Sequence, residues 1–121
     1  MLRPIFDLQN GVTGYSAVGL ITADDINKVL IPEIEAEIAD GGRLRFLLLA
    51  GSKFEGYAPD ALMGDASFGF RHFFDFERIA FVSDNPGFRS LVAGISMMMP
   101  TKVRTFALAD LAAAKKWLAD T

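Results

Sequence analysis

The run Phe46-Leu47-Leu48-Leu49 constrains this chain more than any other feature. A strand-length stretch with no polar side chain cannot turn one face to water. It suits a central parallel strand covered on both faces. Gly41-Gly42 precedes it and Gly51 follows it, so the expected strand is Arg43 to Ala50, with Gly51 to Pro59 as a loop. Such a strand requires helices above and below the sheet, and the sequence supplies them.

Arg3 to Leu8 reads as a short strand, Asn10-Gly11 as a turn, and Tyr15 to Ile21 as a second strand. So short a connection forces the first strand to be antiparallel. Thr22 begins a helix, with Asp25 in its first turn, where the helix dipole favours an anion. Ile26, Val29, Leu30, Ile34 and Ile38 follow at helical spacing, and Pro32 is expected to kink them. Asp60 to Phe74 reads as a second helix. Glu77 to Val82 reads as a buried strand. Ser83-Asp84-Asn85-Pro86 is a helix start, and Phe88, Leu91, Val92, Ile95 and Met99 line the helix that follows. Lys102 to Ala107 is a last strand whose charges suit a sheet edge. Asp110 opens a final helix striped by Leu111, Ala114 and Leu118. The order is β-β-α-β-α-β-α-β-α. It predicts an α/β fold: a single domain over residues 1–121, with a mixed, mostly parallel sheet of about five strands and about four helices.

At 121 residues the chain is long enough for a core without staples. It holds 11 phenylalanines against 1 tryptophan and 2 tyrosines, a surplus that suggests a deep core, an apolar groove or a hydrophobic partner surface. The formal net charge of −3 gives no basic footprint, so nucleic acid is not an expected partner. The same balance argues against docking on anionic membranes. No cysteine is present, which excludes disulfides, thiolate zinc sites and cysteine nucleophiles. Met1 to Asp7 lacks the pattern of a signal peptide, and no stretch approaches a membrane span, so a cytoplasmic protein is expected.

Catalytic patterns are missing as well. The single histidine, His72, cannot build a zinc site. Asp24, Asp25 and Asp84 fall near strand ends; two of these look like helix caps, and capping is the better reading than metal binding. Asp65 and His72 share a helix face, but two turns apart, which is too far for a direct hydrogen bond. Gly64 to Gly69 has P-loop glycine spacing, yet Phe70-Arg71 stands where Lys and Ser/Thr are needed. No catalytic residue, cofactor or metal is therefore expected. Two features remain as contact candidates. One is the stretch after the central strand, with Ser52, Lys53, Phe54, Glu55 and Tyr57, at the sheet edge where open α/β folds bind ligands. The other is Met97-Met98-Met99, because three consecutive side chains cannot all lie on one helix stripe.

Several segments, in order, resemble the SpoIIAA-like family of small STAS-like or SEC14-like α/β proteins. They are Gly19 to Asp25, Phe54-Glu55-Gly56-Tyr57, Asp65 to His72, Arg78 to Asp84, Val103-Arg104-Thr105-Phe106, and Ala114 to Leu118. The resemblance covers nearly the whole chain and implies a mixed, mostly parallel sheet with helices packed on it. It also implies a non-enzymatic protein-binding switch, since STAS relatives act that way. Many of those relatives are phosphorylated on a serine at the start of the second helix. Here that stretch is Gly56-Tyr57-Ala58-Pro59-Asp60, with no hydroxyl except that of Tyr57, so the usual serine switch is not expected. SEC14-like relatives bind lipids, in longer chains.

Two functional readings follow, with an enzyme using Asp65, His72 or Asp84 ranked last. The first is a binding or regulatory module with a protein partner, acting through the loop after the central strand, with Asp60, Asp65, His72, Asp84, Met97 and Met98 as further candidate contacts. The second is a binder of a small apolar ligand or lipid. Homo-oligomers are compatible with either.

Overall fold

The structure, a computed structural model, describes residues 1–8, 11–39, 44–59, 76–97 and 102–120. Its frame is one five-stranded sheet in the order β1-β2-β3-β4-β5, formed by Leu2–Pro4, Val12–Ile21, Leu44–Tyr57, Phe76–Ser83 and Lys102–Phe106. β1 pairs antiparallel with β2, and every other pairing is parallel. The expected fold class holds. Three of the four expected helices lie within the described residues: α1 (Ile31–Ala39), α2 (Pro86–Ser96) and α3 (Leu111–Ala119). The fourth, Asp60 to Phe74, lies outside them.

The two faces of the sheet have separate cores, and the residues of β3 show why. Phe46, Leu48 and Ala50 point to one face, where Ile26, Leu30 and Ile34 of the first helical segment and Val92 of α2 bury against them. Leu47 points to the other face, against Ala114 and Leu118 of α3. Right-handed crossovers that step across a sheet in one direction put their helices on one side. That places α1 and α2 together. α3 has no following strand to reach, and it folds back over the opposite face.

Three local expectations change. First, β1 is only Leu2–Pro4, because after Pro4 the chain keeps one further sheet bond, from the Ile5 amide to the Gly14 carbonyl at 2.9 Å, and then leaves. Second, the kink expected at Pro32 is preceded by a π-helical turn, Asp25–Leu30, closed by the Ile31 amide on the Ile26 carbonyl. Proline lacks the amide that would continue an α-helical ladder, and the wider i→i+5 turn accommodates its ring. Each residue rotates less in that turn, so Val29 swings off the apolar face and is exposed while Ile26 and Leu30 stay buried. Third, the segment from Gly51 to Tyr57 is a continuation of β3 rather than a loop.

That third change shapes the end of the sheet. β3 pairs with β4 up to Ala50↔Ser83 and then runs on against β2 alone. In this ribbon Ala17 pairs Ala50, Gly19 pairs Phe54 and Leu20 pairs Gly56. β3 therefore carries extra residues and must bulge outward. Gly19 (φ +67°) and Gly56 (φ +117°) supply the left-handed backbone that the bulges require. The glycines and polar residues read as a loop in sequence because bulged strands share that composition.

Candidate functional site

The ribbon stands at the C-terminal ends of the parallel strands. Phe54 anchors it: its side chain is buried in the α1-side core. Ser52, Lys53 and Glu55 are exposed. A side chain added at Gly19 would lie 3.3 Å from Glu55 Oε2, so Glu55 leans across the bare Gly19 backbone. The ribbon closes with the Ala58 amide donating to the Ile21 carbonyl at 2.8 Å. Tyr57 belongs to β3 by its backbone pairing with Ile21.

Beside the ribbon, Thr22 and Asp25 cap the first helical segment reciprocally. The Thr22 amide and hydroxyl donate to Asp25 Oδ2 at 2.9 and 3.1 Å, and the Asp25 amide donates to the Thr22 hydroxyl at 3.3 Å. Burial pushes the Asp25 carboxyl up, but the two Thr22 donors and the Met1 amino group outweigh it and hold it below the usual range. Among the described residues Asp24 makes only an exposed pair with Lys28, at 3.6 Å, which contributes little.

Asp84 is not a cap of α2. Its Oδ1 accepts the Leu108 amide at 3.0 Å and so ties the end of β4 to the segment after β5. Ser83, buried at that strand end, accepts the Asn85 amide on its hydroxyl at 3.0 Å. Asp25 and Asp84 thus hold backbone donors in place. Among the described residues no group of three or more His, Cys, Asp and Glu side chains could hold a metal ion.

The other candidates do not join this site. Met97 is 88% exposed, as expected for at least one methionine of its run, but it follows the C-terminal end of α2. α2 runs back from the end of β4 toward the start of β5, so Met97 lies at the opposite end of the sheet from Ser52 and Lys53. Asp60, Asp65, His72 and Met98 lie outside the described residues.

One group escaped the sequence reading. Arg45 donates to the Leu118 and Asp120 carbonyls, both at 2.6 Å, and pairs with Glu77 at 3.0 Å. Arg78 donates to the Trp117 and Asp120 carbonyls at 2.5 and 2.8 Å. Together they satisfy the C-terminal carbonyls of α3, where the helix dipole favours cations. The available signal was an arginine near the start of each of two buried strands, where a charge needs a partner.

The sequence model of the SpoIIAA-like family matches residues 12–119. The chain belongs to the SpoIIAA-like family. Its fold agrees: this SpoIIAA-like chain superposes with a TM-score of 0.75 on the crystal structure of an uncharacterized protein from the DUF3478 family with a SpoIIAA-like fold, from Shewanella loihica PV-4. The identity is 19%, and the match covers 98% of this chain and 92% of that one, so it speaks for the fold alone. A comparison with curated proteins returns no match. Among the described residues no helix is long and apolar enough to cross a membrane.

Proposed function

We propose that this SpoIIAA-like chain is a non-enzymatic binding or regulatory module, and that its contact surface is the bulged end of β3. The observation that carries the reading is the anchored ribbon: Phe54 is buried while Ser52, Lys53 and Glu55 around it face solvent. A strand anchored by a buried Phe54 that presents polar side chains at the C-terminal edge of a parallel sheet offers a defined pattern to a partner. The commitment of Asp25 and Asp84 to backbone donors supports a role without acid–base chemistry. The serine switch of STAS relatives is not part of the proposal, since Ser52 lies within β3 and not at a helix start.

The apolar-ligand reading drew on the phenylalanine surplus, the glycines of the second helix and the methionine run. Among the described residues Phe46, Phe54, Phe76 and Phe106 are buried in the two cores, while Phe6 is exposed.

The test reverses the charges of the ribbon. Affinity capture with the wild-type protein and with the Lys53→Glu, Glu55→Lys double variant is compared by quantitative mass spectrometry, with melting temperature as the folding control. The expected result is at least one binder depleted tenfold or more from the variant. Identical capture profiles from two equally folded proteins would reject the ribbon as the contact surface.

A further inference from the structure

At the other end of the sheet, two arginines share one tryptophan. The Arg78 guanidinium carbon lies 5.5 Å from the centroid of the Trp117 ring, and that of Arg104 lies 5.4 Å from it. Arg104 also sits 5.0 Å above Phe106. The register explains the meeting. Arg78 and Ala80 of β4 point to the α3 face, and Ala80 pairs with Arg104 of β5, so the two arginines are diagonal neighbours under Trp117.

Their charge is not balanced. Among the described residues neither arginine pairs with a carboxylate; Arg78 donates only to backbone carbonyls, and Glu77 is 3.0 Å from Arg45. Two guanidiniums carry two positive charges. The α3 C-terminus, whose carbonyls Arg45 shares, offsets them by at most about half a charge, and the exposed Asp120 carboxylate stands at the same helix end, so a smaller net positive charge remains. A phosphate monoester carries about −1.5 to −2 at neutral pH. The aromatic rings also hold the Arg104 guanidinium in place before any ligand arrives, and a planar fork of donors matches phosphate oxygens.

We infer that Arg78 and Arg104, held against Trp117, form a binding site for a phosphate group. The site is distinct from the ribbon and lies at the N-terminal ends of the parallel strands.

Trp117 is the sole tryptophan, so its fluorescence reports on the site directly. Inorganic phosphate is titrated at constant ionic strength, with chloride as the control anion. The expected result is a saturable change with phosphate only, and affinity at least tenfold weaker in Arg104→Gln. That variant leaves the hydrogen bonds of Arg78 to α3 in place, and its melting temperature serves as the folding control. Arg104→Lys, which keeps the charge but loses the fork, is expected to fall between the two. A second arm measures co-sedimentation with phosphatidylcholine vesicles that contain or lack phosphatidic acid. Binding only to the phosphatidic acid vesicles assigns the phosphate to a lipid headgroup, whereas phosphate binding without vesicle binding assigns it to a soluble ligand. A response to phosphate no different from that to chloride, or equal affinity in Arg104→Gln, would overturn the site.

Discussion

Tyr15 carries the clearest link between one side chain and a measurable property. Its ring packs in the α1-side core, 6.3 Å from that of Phe46. Burial pushes its hydroxyl up to about 12, and Glu33 and Glu37 push in the same direction. Because the folded-state value is raised, the resulting stability is fully present below the ordinary tyrosine value near 10 and is lost as pH climbs from there toward 12. A spectrophotometric titration is expected to show one of the two tyrosines ionising near 12. Tyr15→Phe is expected to remove that component and to flatten the loss of stability between those pH values, as read by chemical denaturation. The burial of Tyr15 follows from its place in an apolar strand. The glutamates could not be read from sequence, because they come near Tyr15 only through the packing of α1 on the sheet.

At the scale of elements, the bulged ribbon separates glycines that are required from glycines that are tolerated. Gly19→Ala places a side chain at φ +67°, with Glu55 Oε2 at 3.3 Å, and is expected to cost about 1–2 kcal/mol. Gly51 has an ordinary φ and open space around it, so Gly51→Ala is expected to change stability by less than about 0.5 kcal/mol. Urea denaturation of the two variants checks the ranking. The elements themselves were largely legible: every expected strand is present, as are the three helices within the described residues, because hydrophobic periodicity reports which faces are covered. Two local features were not legible. The β3 extension carries loop-like composition and is a strand only because β2 pairs with it, and Val29 obeys helical spacing but sits in a π-helical turn. Of the contact candidates, Ser52, Lys53 and Glu55 stand beyond the last β3–β4 pair, as residues of a strand rather than of a loop, whereas the cluster of Arg45, Arg78 and Arg104 depends on α3 returning over strands far away in sequence.

At the scale of the molecule, the described residues cover the two sheet faces unequally. Two helices pack on one, while among the described residues only α3 packs on the other, over Leu47, Ala80, Val82 and Phe106. Leu118 is fully buried there, so Leu118→Ala is expected to cost about 2–5 kcal/mol. Amide hydrogen exchange is expected to quicken first in α3 and only later in β3, since α3 can lift away without breaking the sheet. Equal acceleration in both elements would show that the second core is not a separate layer. The strand order matters in another way. Each strand lies beside the one made just before it, so a nascent polypeptide leaving the ribosome adds its sheet one neighbour at a time. Until residues 108–119 emerge, Leu47 and Val82 lack the cover of Ala114 and Leu118 and have only earlier residues such as Ile5 and Leu8 beside them on that side, and that interval is when a chaperone would find something to hold.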